Sequence, residues 1–589
     1  MILVTLLAAV VLTHQPDVPL GTKITNISFK DIRYLPRSLD DFRDKKAYVL
    51  VFVDRACPVA VKYLPILQEL ETQYGSKGIQ FIALNPSPED TIVEMAGQAL
   101  EYKMKFPFVK DFEGKAAKAL GVDRVPTAVI LNDQRVMVYR GRIDESIRIG
   151  GAKPAANSRK DLQLALEEVL AGKSVTVAET TVDGCAITFP ATPSVTETVT
   201  YAQHVEPILR KHCMECHKPG TVAPFTLINY DNAKSHASAM AEVIKEGRMP
   251  PWYAHPEHGT FINKRGLSDE ERNTILNWVR QGKPSGDLSK VAELPAELKE
   301  PSEWIIGKPD LVLSTGTYDL PATGDVEYKY AILPYVFSQD TWVQDIQIKP
   351  DNNKLVHHAN LAYFVVGEKF NMNNFLTGYV PGGIPMQLKP GTAVKIAKGS
   401  VLGLQIHFVT TGKTEKGKVS VGLKFARGEL NKQVHFHLFA DRRFAIPPEA
   451  TAHPVAASWT VPDDIVGIGL FSHMHVRGRD MSFFMQRPNE EKQQLLMIPN
   501  YSFDWQMAYE WAPGSMKFPQ GTKFECLAHY DNSSFNAYNP NPKATVREGQ
   551  QTHEEMMNGF FFYVKEKEKL GYQMDGATGR VKKQPPTNP

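Results

Sequence analysis

Over the first third of the chain, apolar runs alternate with amphipathic stretches. Ala47 to Asp54 reads AYVLVFVD, an unbroken apolar segment that predicts a buried strand. The period then changes. Val61, Leu64, Leu67, Leu70 and Tyr74 recur at helical spacing and predict one face of a helix. Further strands are predicted at Ile79 to Leu84 and Ala128 to Leu131, the latter after Val125-Pro126-Thr127. Val136 to Tyr139 fits a hairpin partner, and Arg159 to Leu170 a closing helix. Alternating strand and helix predicts a parallel α/β core. A helical pattern follows, with Val205, Ile208 and Leu209 on one face. Leu267-Ser268-Asp269-Glu270-Glu271 carries a capping signal for a helix whose apolar face is Ile275, Leu276, Trp278 and Val279. Residues 288–302 are rich in Pro, Lys, Glu and Ala and fit a linker. Beyond them short β-rich runs recur: Leu361 to Val366, Val401 to Val409, Val419 to Phe425 and Val434 to Phe439. Turn residues punctuate them, which predicts antiparallel sandwiches.

A chain of 589 residues exceeds one core, so about three or four domains are expected. With 42% apolar and 22% charged residues the composition is that of ordinary globular proteins. A net charge of +2 argues against nucleic acid as a partner, because such a surface needs a large basic excess. Residues 1–15 resemble a secretory signal through the apolar run Ile2 to Leu12, although no Lys or Arg precedes it, and a buried first strand is the alternative. No later run reaches 18 apolar residues, so no membrane span is expected beyond that segment. The five cysteines are too few for a disulfide framework in so long a chain.

Cys213-Met214-Glu215-Cys216-His217 reads C-x-x-C-H, the attachment signature of a c-type haem. Two thiols add across the vinyl groups, and the adjacent imidazole becomes the proximal iron ligand. The competing reading is a zinc knuckle or redox pair, but no second C-x-x-C completes a zinc site. Residues 196–287 resemble a class I cytochrome c domain. The resemblance implies a covalently attached haem c on Cys213, Cys216 and His217, with Met249 as sixth ligand. It also implies export, because such attachment occurs outside the bacterial cytoplasm; the expected location is periplasmic or secreted.

Cys57 sits at a predicted strand-to-helix turn, and the later Val125-Pro126-Thr127 completes a pattern that resembles the thioredoxin superfamily, closest to its redoxin and peroxiredoxin-like branch. The resemblance covers residues 20–190 and implies a cis proline facing the cysteine. A helix N-terminus lowers a thiol's pKa. Three positions after Cys57 stands Ala60 rather than cysteine, so a C-x-x-C dithiol cycle is excluded. Cys57 and Cys185 are the candidate redox thiols, with Cys185 as a resolving partner or an inert domain as the alternative.

The histidines of the last half are clustered. His357-His358 stand side by side, His407 lies in LGLQIHFVTTG, and His473 and His475 form H-x-H. Neutral imidazoles with a thioether suit copper and not magnesium or calcium. An H-x-H on a strand points both rings to one face. Adjacent histidines share a metal only where the strand ends or bulges. His435 and His437 form a rival H-x-H that physical reasoning alone does not rank lower. Together these residues and Glu554-Glu555-Met556 resemble the copper type II, ascorbate-dependent monooxygenases, the peptidylglycine α-hydroxylating and dopamine β-monooxygenase family. The resemblance implies jelly-roll-like subdomains at residues 303–428 and 429–567, followed by a tail at residues 568–589. It implies two copper ions: one held by His357, His358 and His407, the other, catalytic, by His473, His475 and Met556.

The expectation is thus a multidomain chain: α/β thioredoxin-like, all-α cytochrome c, then two all-β jelly-roll-like sandwiches. Its implied activity is a monooxygenase inserting one oxygen atom of O2 into a C–H bond of a small molecule or peptide. Electrons would come from the fused haem, fed by ascorbate or a periplasmic redox protein. Two alternatives stand beside it: a thiol-based redox or peroxidase protein using Cys57, and a non-catalytic copper-binding module.

Overall fold

The computed structural model describes residues 18–147, 158–189, 197–221, 223–299, 304–368 and 373–583. The signal-like segment at residues 1–15 lies outside them. The chain divides into two compact units, residues 1–194 and 195–589.

In the first unit the fully buried run Ala47–Phe52 (β3) is an interior strand of a seven-stranded sheet. Its order is β2-β1-β5-β4-β3-β7-β8, with β1 Ser28–Asp31, β2 Pro36–Ser38, β4 Ile79–Asn85, β5 Phe108–Lys110, β7 Thr127–Asn132 and β8 Met137–Gly141. β3, β4 and β5 run parallel, as strand–helix alternation requires, whereas β7, β8 and β1 pair antiparallel. Helix α1 (Pro58–Tyr74) buries Leu64, Leu67, Leu70 and Tyr74 of the predicted face and leaves Val61 half-buried. Helices α2 (Ile92–Glu101), α3 (Lys115–Ala119) and α4 (Asp161–Leu170) complete the unit. Two two-residue strands, β6 (Arg124–Val125) and β9 (Cys185–Ala186), pair antiparallel beside the main sheet.

The second unit begins with short helices: α5 (Glu206–His212), α6 (Tyr230–Ser235), α7 (Ala237–Lys245) and α8 (Asp269–Arg280). They close around Trp278, Ile275, Tyr201 and Met240. The capping box read at the start of α8 is present, with the Ser268 side chain and Glu271 bonding each other's backbone. The stretch expected to be a bare linker contains a helical turn at Leu288–Lys290 and a four-residue helix at Ala296–Lys299.

The remainder is all-β. One antiparallel sheet carries Lys329–Phe337, Ser400–Phe408 (β11), Val356–Val365 (β10) and Phe375–Tyr379, in that order. A second pair of sheets carries Ile465–His473 (β12) beside Asn558–Lys565 (β13), and Gly478–Gln486 beside Lys523–Tyr530. Among the described residues, no helix is long and apolar enough to cross a membrane.

Candidate functional site

Cys57 is the N-cap of α1, directly after the β3 segment, and Pro58 fills the first helical position, where a missing N–H costs nothing. The Cys57 N–H donates to Asp54 Oδ1 at 2.6 Å. Burial pushes the Asp54 carboxyl above its ordinary range. Cys57 forms a disulfide with Cys185, 128 residues away, with Cα atoms 5.9 Å apart. Sequence reasoning excluded a C-x-x-C cycle but left this partner open. β9 reaches Cys57 by pairing with β6 in the register Val125↔Cys185 and Arg124↔Ala186. The Val125–Pro126 bond is cis, as the thioredoxin resemblance implies, and Cys57 Sγ lies 3.5 Å from the Val125 carbonyl oxygen.

Behind the cysteine turn lies a charged network that sequence reasoning missed. Buried Asp90 accepts from the Arg55 N–H at 3.0 Å and from Asn85 Nδ2 at 2.7 Å. Lys110, also buried, donates to the carbonyls of Asp90, at 2.7 Å, and Ser87, and to Asn85 Oδ1 at 3.3 Å. Burial lowers its pKa to about 8 against the pull of Asp90, Asp111 and Glu94. Only a polar residue (Asn85, Lys110) ending an otherwise apolar strand marks this network in the sequence.

Cys213 caps the C-terminus of α5, and its carbonyl accepts the His217 N–H at 2.9 Å, so the five motif residues form one tight turn. Both cysteines are free, and burial pushes the Cys213 thiol up to about 12. His217 Nδ1 lies 3.0 Å from the Phe225 carbonyl oxygen. A donating Nδ1–H leaves Nε2 as the ligand atom. Met249 follows α7, its N–H donating to the Val243 carbonyl at 3.3 Å, and the next bond, to Pro250, is cis.

His357, His358 and His407 lie on paired strands β10 and β11, with ligand atoms within 4.8 Å of one another. The ladder shifts register between Val356 and His358, the irregularity that lets adjacent histidines converge. His473 ends β12, and His475 lies just past it, so this H-x-H is only half on a strand. The two ring centroids are 5.3 Å apart, and His473 is 5.4 Å from His358. The five rings therefore form one contiguous cluster. Burial holds His407 at a pKa of about 3, His473 at about 4, and His358 and His475 well below the ordinary histidine range. His358 Nε2, His407 Nδ1 and His475 Nε2 are buried without a hydrogen-bond partner. Met556 is buried nearby in the chain fold, two residues before Asn558, which pairs with His473 and whose Nδ2 lies 3.4 Å from the thioether sulfur. The rival pair is spent on stacking: His437 lies 4.3 Å from the Trp459 ring centre and His435 5.5 Å from that of Tyr563.

The redoxin family matches residues 19–156. This part of the chain is a redoxin-type, thioredoxin-like domain. Thiol-disulfide oxidoreductase ResA of Bacillus thuringiensis subsp. konkukian is 28% identical to it over 120 residues, 20% of this chain and 68% of that protein. ResA of Halalkalibacterium halodurans is 25% identical over 130 residues, 22% of this chain and 72% of that protein. Among solved structures, a hypothetical protein from Sinorhizobium meliloti is 28% identical with a TM-score of 0.28, covering 30% of this chain and 96% of its own.

These findings correct the main functional expectation. The redoxin match, the thiol-disulfide oxidoreductase relatives and the Cys57–Cys185 bond point to thiol chemistry and overturn the copper type II monooxygenase reading. The geometry agrees: Cys57 and Cys185 already form a bond beside the cis Val125–Pro126 peptide, the arrangement a thiol–disulfide site requires.

Proposed function

We propose that the redoxin domain is a thiol–disulfide oxidoreductase whose redox pair is Cys57 and Cys185. The observation that carries this reading is the Cys57–Cys185 bond at the N-terminus of a 17-residue helix, facing the cis proline. A helix N-terminus stabilises the thiolate released when the bond opens. The partner is a polypeptide or small molecule carrying thiols or a disulfide, reached outside the cytoplasm, in the periplasm or as a secreted protein. The test compares the full chain with Cys57→Ser and Cys185→Ser, using a model disulfide protein and a reductant. Wild type should cycle between two titratable thiols and none at this pair, and each variant should lose catalysed reduction. Full wild-type turnover in both variants overturns the reading. Turnover of peroxide alone, lost in Cys57→Ser, assigns the domain to the peroxidase branch instead.

A second reading concerns the other unit, and three buried ring nitrogens without partners favour it. We infer that His357, His358 and His407 hold a copper ion, with His473, His475 and Met556 as a second ligand set. Buried neutral imidazoles and a thioether match the softness of copper. Cys213, Cys216 and His217 likewise would hold a covalent haem c, with Met249 as a further candidate ligand, which would make residues 196–287 a cytochrome c domain; when bound, such a group would supply single-electron transfer. Metal analysis of the full chain should show copper, and His407→Ala should bind it at least about tenfold more weakly. Equal copper content and affinity in both proteins overturns the metal assignment.

A further inference from the structure

The segment Gly184 to Phe189 is seated on the redoxin domain as an extended peptide would be. Cys185 and Ala186 pair antiparallel with Val125 and Arg124. The backbone pairing extends on one side, with the Ile187 N–H donating to the Asp123 carbonyl at 2.8 Å, and on the other the Arg124 side chain donates from Nη1 to the Gly184 carbonyl at 2.9 Å. Three positions fit their surroundings closely. A Cβ on Gly184 would fall on the Val125 carbonyl oxygen, so only glycine permits this approach. Ile187 is buried. The Phe189 ring covers Gly114, and Lys118 Nζ lies 5.1 Å from its centre. The two strands are only two residues long each, so the arm is held by the disulfide together with a few contacts.

We propose that this arm is an internal stand-in for the redoxin domain's partner, and that reduction of Cys57–Cys185 vacates a groove for an extended polypeptide segment. The segment's reactive cysteine is preceded by glycine, with an apolar residue two positions after it and an aromatic one four after. The inference rests on the thiol reading above and adds to it which polypeptides the site accepts. The chemistry is thiol–disulfide exchange. Once an external thiol reductant has opened Cys57–Cys185, the Cys57 thiolate attacks the partner's disulfide, a mixed disulfide forms, and the partner's other cysteine leaves as a thiolate that takes up a proton. The Cys185 thiolate then attacks Cys57, re-forms the Cys57–Cys185 bond and releases the partner's remaining cysteine as a thiol. Two electrons pass from protein to partner. The partner's main chain takes the Val125 edge by the strand addition that the arm now makes.

The test uses the full chain carrying Cys185→Ser, in which the arm is no longer tethered and Cys57 is free. Two capped peptides, Gly-Cys-Ala-Ile-Thr-Phe and Val-Cys-Ala-Ile-Thr-Phe, are supplied as activated mixed disulfides, and adduct formation at Cys57 is followed by mass spectrometry. The glycine peptide should react at least about tenfold faster than the valine peptide, because the valine side chain meets the Val125 carbonyl. In the otherwise wild-type chain, Gly184→Ala should shift the Cys57–Cys185 equilibrium in glutathione buffer roughly tenfold toward the dithiol. Phe189→Ala, which adds no steric clash, should shift it the same way if the glycine variant misfolds. Equal rates for the two peptides, with Cys57 still reacting readily with a small activated disulfide, overturn the groove but leave the thiol reading standing. A Cys57 that reacts with neither peptide nor small disulfide overturns both.

Discussion

Lys110 is a cation held against its solvation. It is 4% exposed, ends a buried strand, and offers its protons to carbonyls and an amide rather than to a direct carboxylate contact. Burial therefore dominates over Asp90, Asp111 and Glu94, and its pKa falls to about 8. The sign of the stability effect follows. Between about pH 8 and the unfolded lysine value of about 10.4, the unfolded chain binds more protons than the folded one, so stability rises with pH. From pH 8 to 9.5 the redoxin domain should gain about 1.5 kcal/mol, read as the urea midpoint of its protease resistance in the full chain. The window stops there because Tyr74 and Tyr139, both pushed up to about 12, keep their protons when folded and reverse the slope above pH 10. Lys110→Met should remove the rise. A wild-type midpoint that falls over this range would mean that the lysine is solvated.

At the scale of elements, α1 and the segment before it set the chemistry. Cys57 is the N-cap residue of α1, so its sulfur lies at the positive end of the helix dipole. In reduced Cys185→Ser protein the Cys57 thiol should titrate below the ordinary value of about 8.5. The pH dependence of iodoacetamide alkylation at the Cys57 peptide reads this directly. Asp54 opposes the shift when ionised, so Asp54→Asn should lower the midpoint further; a midpoint above 8.5 would mean that burial outweighs the helix. Much of this element was legible in advance. Apolar runs gave β3, β4 and β7 nearly to the residue, and adjacent His357 and His358 required the irregular ladder that the strand shows. β9 was not legible. Two residues have no period, and the one signal, a cysteine, has no preferred partner in sequence. The histidine pairs illustrate the same boundary: only the packed structure shows His437 against Trp459 and His475 inside a cluster.

At the scale of the whole molecule, the two units carry two kinds of signal. The Cys57–Cys185 bond closes a loop of 128 residues that contains most of the redoxin domain. Loop-closure entropy for so long a segment predicts a contribution of about 3–5 kcal/mol to that domain alone. All 7 tryptophans of the chain, Trp252 through Trp511, lie in the second unit. Tryptophan fluorescence is therefore blind to the first unit, and protease resistance of the redoxin fragment reports on it. Mild reduction should move the urea midpoint of the fragment down while the fluorescence transition stays in place. The long loop makes the first effect large, and the second unit's free thiols, Cys213, Cys216 and Cys526, have no disulfide to lose. A fluorescence midpoint that moves together with the fragment's would mean that the two units unfold as one, and the thiol pair would then govern the stability of the histidine cluster as well.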